Sequence, residues 1–242
     1  MLLDATLIFP NLGITIENLP NGFNIGTFHI AFYGMLIALG MIMAVVTAYV
    51  RAKKTNQHAD DYVDIGIITV IAGIVGARIY YVIFSLDQYT SFWQVFNIRQ
   101  GGLAVYGGII GGVIAAYFVC RYKKISFLRI MDTAAPGIAL AQAIGRWGNF
   151  FNKEAFGEYT DSFFKMQIKY SEATGGITDL MKQNMVSIDG TQYIQVHPTF
   201  LYESAGCLLI FVLILLFSRF QRYNGEVLLW YVGGYALLRA SV

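Results

Sequence analysis

Charged residues are scarce in this sequence. Asp, Glu, Lys and Arg together make up 13% of its 242 residues, whereas hydrophobic residues make up 56%. A soluble domain carries about a quarter charged residues, and the mean hydropathy here is +0.54. The shortage excludes an ordinary soluble domain and predicts an integral membrane protein whose environment is the lipid bilayer. The net charge is only +2, and because no basic cluster is present we expect no nucleic-acid partner.

Cysteine is almost absent as well. Cys120 and Cys207 lie in or beside apolar segments and form neither a disulfide framework nor a metal-binding spacing. We therefore expect both to be small apolar packing residues, and we expect no bound metal. The N-terminal segment lacks a basic stretch and contains Asp4 and Glu17, which is not typical of a cleavable signal peptide. It is interpreted as a short ordered or interfacial lead-in.

Long apolar segments are what the sequence does contain. A helix needs about 20 mostly apolar residues to cross a bilayer. Six segments qualify as candidates: 28–50, 65–86, 102–120, 127–151, 199–217 and 227–242. Because the last segment is short and reaches the end of the chain, the sequence resembles a truncated version of a longer one. The pattern predicts an all-α integral membrane protein with about six transmembrane helices, organised as one polytopic domain over residues 1–242.

The segment between the fourth and fifth predicted helices differs in character. Residues 152–198 mix aromatic and charged residues, and strand-like stretches occur at 163–170 and 191–198. They predict a small head inserted between helices four and five. Two interpretations remain open, since the head could receive a peptide or simply cover a groove between the helices.

Basic loops predict the orientation. The sequences RAKK at 51–54, RYKK at 121–124 and SRFQR at 218–222 follow the first, third and fifth predicted helices. Short basic loops stay in the cytoplasm, so we expect the N-terminus, the 87–101 loop and the 152–198 head to lie outside. The glycines of the second and third helices, including the pairs Gly107/Gly111 and Gly108/Gly112, have the spacing that lets helices pack closely in lipid.

With this orientation, polar side chains from six helices fall in the outer half of the membrane. They are Tyr33, Arg78, Tyr106, Arg146, Glu203 with its neighbour Tyr202, and Arg239. A charge in hydrocarbon is costly unless it is paired or wetted, so such residues indicate function. One alternative is internal pairing of Arg78 or Arg146 with Glu154 or Glu203. The other is a phospholipid, whose phosphate accepts forked hydrogen bonds from arginine, and the apolar positions below these arginines favour it.

The densest polar sequence is GRWGNFFNKEAFGE, residues 145–158. Arg146 can bind a phosphate. Asn149 and Asn152 are neighbours on a helix and can donate to ester or glycerol oxygens, or instead cap the helix end. Glu154 can orient an arginine or accept from a hydroxyl, and Gly157 permits a close backbone approach or a turn.

This segment resembles the signature G-R-x-x-N-F-x-N-x-E-x-x-G of the prolipoprotein diacylglyceryl transferase family. Four further blocks resemble that family in the same order: FYGMLIALG at 32–40, GARIYYVIF at 76–84, GGLAVYGGIIGG at 101–112 and HPTFLYES at 197–204. The resemblance implies a bacterial cytoplasmic-membrane enzyme, usually of seven helices, that needs no cofactor. It moves the diacylglyceryl group of phosphatidylglycerol onto the lipobox cysteine thiol of a pre-prolipoprotein. The thioether forms at the outer face of the membrane in the first step of lipoprotein maturation.

The predicted depth of the polar residues and the resemblance together assign roles to individual residues. The expected catalytic residues are Arg146, Tyr106 and Arg239, and the nucleophile comes from the substrate. The expected phosphatidylglycerol-binding residues are Tyr33, Arg78, Arg146, Asn149, Asn152, Glu154, Gly157 and Glu203.

Two features depart from the family pattern. Some relatives carry histidine where this chain has Tyr106; a phenol titrates near pH 10 and is a poor general base, so we expect hydrogen bonding instead. His197 precedes Pro198 at a helix start, where we expect a structural role, and the base for the thiol proton stays open. Relatives also continue past the arginine that matches Arg239 into an acidic block, so we expect Arg239 to be less constrained here.

Two other functions compete with this interpretation. A small-molecule transporter predicts polar groups through the whole membrane depth and broken helices near the midplane, whereas the polar groups here are predicted at one depth. A non-catalytic phospholipid-binding protein would explain the arginines but not the five ordered blocks.

Overall fold

The computed structural model describes residues 5–89, 91–97 and 101–242 and is mostly helical. The chain divides into two compact units, one formed by Met1–Met43, Ile138–Arg219 and Trp230–Val242, the other by Ala44–Gly137 and Phe220–Leu229. The α-helices are α1 (Phe32–Lys54), α2 (Ala59–Phe84), α3 (Val105–Lys123), α4 (Phe127–Asn152), α5 (Asp179–Gln183), α6 (Thr199–Phe217) and α7 (Glu226–Ser241).

Each of the six predicted spans corresponds to a long helix, with shifted ends. Helix α2 begins at Ala59 rather than near residue 65, because Asp60 and Asp61 occupy its first turn, where acidic side chains favour a helix but interrupt an apolar pattern. Within the part of the chain that the structure describes, four helices are long and apolar enough to cross a membrane: Phe32–Lys54, Ala59–Phe84, Val105–Lys123 and Thr199–Phe220. The structure therefore supports an integral membrane protein, and the count of six spans stays a prediction.

One face of α2 is apolar and exposed, as expected for a helix that contacts lipid. Ile67, Ile71, Val75 and Ile79 follow one another at every fourth position and are 50% to 58% exposed. Side chains at this spacing share one face of a helix. A continuous apolar stripe of this kind is unfavourable in water but suits the hydrocarbon of a bilayer.

The prediction of an all-α protein holds only in part: the protein is mostly helical, but seven strands among the described residues form two sheets. The strands are β1 (Ala5–Phe9), β2 (Ile14–Glu17), β3 (Gly22–Ile25), β4 (Phe28–Ala31), β5 (Met166–Lys169), β6 (Val186–Ile188) and β7 (Thr191–Val196). One sheet has the order β2-β1-β5-β7-β6 with antiparallel neighbours, and the other is the hairpin β3-β4. Strands β5 and β7 lie within the two stretches that the sequence predicted as strand-like.

The N-terminal segment is more than a lead-in. Strand β1 pairs with β5 of the predicted head, and its side chains Leu7, Ile8 and Phe9 are buried. An apolar run of this length is too short to span a membrane but is typical of a buried strand. The first helix consequently begins at Phe32, after β4, and not at residue 28.

The core of the first unit joins this sheet to two of its helices. Leu7, Ile168 and Val196 from the sheet pack with Phe200 in the first turn of α6, and Phe150 near the end of α4 packs against them. Because the sheet contacts both helices where they approach the head, it fixes the end of α4 and the start of α6, which carry most of the predicted site.

In the second unit, glycines set the contact between α2 and α3. A Cβ atom at Gly76 would lie 2.5 Å from the carbonyl oxygen of Gly107, and one at Gly111 would lie 2.6 Å from that of Ala72. Any larger side chain would force the helices apart, so the predicted close packing is confirmed. Cys120 and Cys207 are free and buried, which confirms them as packing residues.

Candidate functional site

The C-terminal end of α4 carries Arg146, Asn149 and Asn152 and is held by threonines from other segments. The chain leaves the helix through Lys153 and Ala155, whose φ angles of 53° and 50° are left-handed. Such backbone costs about 1–2 kcal/mol per non-glycine residue. Thr174 Oγ1 donates to the carbonyl oxygen of Asn152 at 2.5 Å, and Thr199 Oγ1 donates to that of Ala155. These bonds stabilise the strained turn and fix the position of Glu154.

A buried carboxylate in α6 joins two arginines from different helices. Glu203 is 1% exposed. Its Oε2 pairs with Arg146 Nη2 of α4, and its Oε1 accepts a hydrogen bond of 2.7 Å from Arg239 Nη1 of α7. The ion pair between Arg146 and Glu203 was one of the alternatives from the sequence. The expectation that Arg239 would be poorly constrained needs correction, since Glu203 supplies a carboxylate from within this chain.

The arginine bridge, Arg146–Glu203–Arg239, carries a net charge of +1, because two guanidinium groups share one carboxylate. The Arg146 side chain is 23% exposed and that of Arg239 is 58% exposed. Each guanidinium has five N–H donors, and Glu203 uses only some of them. The bridge can therefore hold both guanidinium groups in place and still present donors to an anion.

Glu154 is the second carboxylate of the site, and the two asparagines contact it. Asn149 Nδ2 donates to its Oε1 at 3.0 Å, and Asn152 Nδ2 donates to the same oxygen at 3.2 Å. Asn149 Oδ1 also lies 3.5 Å from Arg146 Nη1. The asparagine amide groups thus orient Glu154 instead of capping backbone groups, and Asn149 connects Glu154 to the arginine bridge.

Glycines let other segments approach this site. A Cβ atom at Gly148 would lie 2.7 Å from Cδ2 of Tyr33, so Tyr33 of α1 packs directly against α4. Tyr33 is within electrostatic range of Glu154 and Arg146. A Cβ atom at Gly157 would lie 2.8 Å from Cβ of His197, and Gly157 N donates to the His197 carbonyl oxygen at 3.0 Å. These contacts indicate that Gly157 and His197 have a structural role, since they fix the path of the chain.

Arg78 has different surroundings from those that the sequence suggested. It lies in the second unit, and its five N–H groups donate to the backbone carbonyl oxygens of Gln94, Val95, Asn97, Gly101 and Gly102 at 2.6 to 3.1 Å. Since every donor of the guanidinium has a carbonyl acceptor, none remains for a phosphate. The contacts argue against Arg78 as a phospholipid ligand and indicate that it organises the loop before α3.

Tyr106 also lies in the second unit, in the first turn of α3, with 72% of its surface exposed. Exposure of this size is compatible with contact to a substrate but does not by itself assign one. The catalytic role of Tyr106 stays a prediction.

The sequence interpretation missed a contact that supports the arginine bridge. Trp147 Nε1 donates to Ser204 Oγ at 3.1 Å, and Ser204 Oγ donates to the carbonyl oxygen of Ala143 at 2.9 Å. Trp147 follows Arg146 and Ser204 follows Glu203, so these bonds join α4 to α6 beside the ion pair. The adjacency of both residues to site residues was the available signal.

Comparison with known proteins identifies the family to which the chain is similar. The sequence model of the family "Prolipoprotein diacylglyceryl transferase" matches residues 20–242. The chain is 43% identical over 222 residues to phosphatidylglycerol–prolipoprotein diacylglyceryl transferase 1 of Clostridium perfringens, a match covering 91% of this chain and 80% of the relative. It is 41% identical over 221 residues to phosphatidylglycerol–prolipoprotein diacylglyceryl transferase of Clostridium kluyveri, covering 91% and 82%. For the enzyme of the same name from Clostridioides difficile, the identity is 42% over 211 residues, covering 87% and 76%. The chain belongs to the prolipoprotein diacylglyceryl transferase family.

Proposed function

From its membership of this family, we propose that the protein transfers the diacylglyceryl group of phosphatidylglycerol to the lipobox cysteine thiol of pre-prolipoproteins. The product is a thioether, and the reaction is the first step of bacterial lipoprotein maturation. The observation that supports this proposal best is the arginine bridge. Its Arg146 lies on the segment that resembles the family signature and its Glu203 lies on the block at 197–204, and its net positive charge suits a phosphate group.

The reaction exchanges one bond at carbon for another. The thiolate sulfur of the substrate cysteine attacks the glyceryl carbon that carries the phosphate ester. A carbon–sulfur bond forms, the carbon–oxygen bond to phosphate breaks, and glycerol phosphate leaves with the electron pair. The thiol proton passes to a base. The phosphate changes from a diester with one negative charge to a monoester with nearly two.

Arg146 and Arg239 stabilise the charge that appears on the leaving phosphate. A site with a net charge of +1 binds the developing dianion more strongly than the diester, so its interactions strengthen toward the transition state. Pre-positioned donors of this kind contribute about 3–4 kcal/mol each to catalysis. Glu203 contributes as a positioning residue, because its two oxygens hold the guanidinium groups of separate helices at a fixed spacing.

Glu154 is suited to the glycerol headgroup. Both asparagine amide groups donate to its Oε1, and Oε2 makes no hydrogen bond to another described residue. We assign Oε2 as the acceptor for a headgroup hydroxyl, with Tyr33 beside it. Gly157 supports the turn that carries Glu154, and Tyr106 is assigned a hydrogen bond to substrate.

The protein is proposed to be a multi-pass protein of the bacterial cytoplasmic membrane, with its site at the outer leaflet. The basic residues Arg51, Lys53 and Lys54 end α1, and Arg121 and Lys123 end α3, as expected for cytoplasmic helix ends. Labelling of intact cells with a membrane-impermeant maleimide tests this orientation. Asp179→Cys should react and Lys124→Cys should react only after lysis; the reverse pattern would contradict the proposed topology. Cys120 and Cys207 are buried, which keeps the background low.

An assay with purified full-length chain tests the activity. Phosphatidylglycerol in mixed micelles and a lipobox peptide should give a thioether-linked lipopeptide, detected by mass spectrometry, and a peptide with serine in place of cysteine should stay unmodified. A transporter or a non-catalytic phospholipid-binding protein would give no product. Arg146→Ala should lower the yield of product by about 10²–10³-fold, whereas Arg121→Ala, at the exposed end of α3, should not. Normal turnover by Arg146→Ala would contradict the proposed mechanism.

A further inference from the structure

The second unit contains a polar cavity of about 260 Å³ that the proposed reaction does not use. It lies between the end of α1, the start of α4 and the segment before α7. Four of its ten described lining residues are charged: Arg51, Arg129, Asp132 and Arg222. None of the ten belongs to the Arg146 site, and three of them are arginines.

The charges around the cavity do not cancel. Among the described residues that line it, Asp132 alone is acidic, and it is 2% exposed. Three donors from the segment around the start of α7 bind its carboxylate: Gly225 N at 2.5 Å, Gln221 Nε2 at 2.6 Å and Leu228 N at 2.9 Å. Asp132 therefore acts mainly as a cap for the first turn of α7. Three guanidinium groups against one carboxylate leave the lining with a net charge of +2.

Arg51 supplies the second observation. Its Nη1 atom is buried and makes no hydrogen bond to any part of the chain that the structure describes. A buried N–H without an acceptor is unfavourable, and more so in a charged group. An acceptor inside the cavity would remove that cost. Arg129 and Arg222 are exposed and lie where they can contact the same acceptor from the rim.

We propose that this cavity binds a phosphate group, with Arg51 as the deep donor and Arg129 and Arg222 closing over it. Guanidinium groups match the oxygens of phosphate with forked hydrogen bonds. The volume is below the roughly 300–1,000 Å³ of sites for drug-sized ligands, which suits a small anion or a lipid headgroup. The phosphate comes either from free inorganic phosphate or from an acidic phospholipid with a terminal phosphate.

Two arms of one binding experiment separate these sources. The full chain is placed in phosphatidylcholine nanodiscs and titrated with inorganic phosphate, and separately in nanodiscs that also contain phosphatidic acid. The thermal unfolding midpoint is measured in each case for the wild type and for Arg129→Gln/Arg222→Gln, whose exposed positions keep the fold intact. The matched control is Lys54→Gln/Arg121→Gln, which removes the same charge from exposed residues outside the cavity lining.

Phosphate binding should raise the midpoint of the wild type and of the control alike, and the cavity variant should bind at least about tenfold more weakly. A response to inorganic phosphate identifies the free anion as a sufficient ligand, and a response to phosphatidic acid alone identifies the lipid headgroup. The proposal is overturned if the wild type responds to neither. It is also overturned if the cavity variant responds like the wild type, or if the control loses binding as much as the cavity variant does.

Discussion

Arg78 and the arginine bridge show two ways in which an apolar helix accommodates arginine. All five donors of Arg78 bind backbone carbonyl oxygens of the loop before α3. In the bridge, Arg146 and Arg239 share the single carboxylate of Glu203 and remain partly exposed. The first arrangement uses every donor for the fold, whereas the second fixes two guanidinium groups and leaves donors for a ligand.

The comparison shows that an arginine within a membrane helix does not by itself identify a site. Its partners decide between structure and function. A carboxylate partner such as Glu203 is visible in a sequence. The acceptors of Arg78 are backbone carbonyl oxygens, which every residue has, so no residue type marks them. The sequence therefore could not separate Arg78 from Arg146. Substitutions at both kinds of arginine test whether one acts in the fold and the other in the reaction.

The largest effect is expected at Arg146. Replacing it with Ala removes donors that face the leaving phosphate, and the loss of one pre-positioned donor lowers the rate by about 10²–10³. Arg239 remains to pair with the buried Glu203 carboxylate, so the unfolding midpoint should fall much less than the activity. Transfer rates per folded molecule and unfolding midpoints in the same detergent measure both quantities. A loss of activity fully explained by unfolding would remove the distinction between the bridge and Arg78.

Glu203 should affect stability and activity together. Glu203→Gln leaves two neighbouring guanidinium groups without their shared charge, and breaking a buried ion pair costs about 3–5 kcal/mol. We expect a lower unfolding midpoint and a reduced rate in the fraction that stays folded. Asp179→Asn is the matched control, because Asp179 pairs with Lys182 at 3.2 Å while 89% exposed, and exposed pairs contribute only about 0–1 kcal/mol. Equal effects of the two substitutions would show that the bridge has no special role.

Arg78→Lys should destabilise the protein without a direct effect on chemistry. A lysine ammonium has three N–H donors, so at least two of the five carbonyl oxygens lose their partner, at a cost of about 2 kcal/mol. The unfolding midpoint should fall and the loop should become more sensitive to protease, while the rate per folded molecule stays close to that of the wild type. Arg121→Lys serves as control. An inactive Arg78→Lys protein with unchanged stability would contradict this assignment and would support Arg78 as a phospholipid ligand.

Much of the fold was predictable because membrane helices consist of long apolar segments, which are visible in a sequence. All six predicted spans match long helices, and β5 and β7 lie in the stretches that the sequence predicted as strand-like. Strand β1 was not predicted, because its pairing with β5 joins segments about 160 residues apart and a short apolar run gives no sign of its partner.

The candidate site was predictable where its chemistry lies in the side chains themselves. Arg146, Asn149, Asn152 and Glu154 are close in sequence and carry visible hydrogen-bonding groups, and they do contact one another in the structure. The shared use of Glu203 by two helices depends on how α4, α6 and α7 pack, and so does the bond from Trp147 to Ser204. Packing of this kind is not encoded in any local pattern.

The smallest expected effect concerns an exposed carboxylate of the head, which extends the comparison to an ion pair in water. Asp161 accepts hydrogen bonds from Lys165 Nζ at 3.1 Å, Gln195 Nε2 at 2.9 Å and Tyr159 OH at 3.2 Å. The ammonium of Lys165, helped by the other two donors, holds the pKa of Asp161 below its usual value.

Because the pKa of Asp161 is lower in the folded state, its ionised form stabilises the fold above the unfolded pKa of about 4. That stabilisation is lost as the pH falls through the folded pKa, so it should fade only in strongly acidic solution. Asp161→Asn should slightly lower the unfolding midpoint at neutral pH and flatten its dependence on pH below about 4. Asp179→Asn, whose carboxylate is 89% exposed, should change neither. An Asp161→Asn protein with the acid dependence of the wild type would show that this exposed carboxylate, unlike Glu203, does not contribute to the fold.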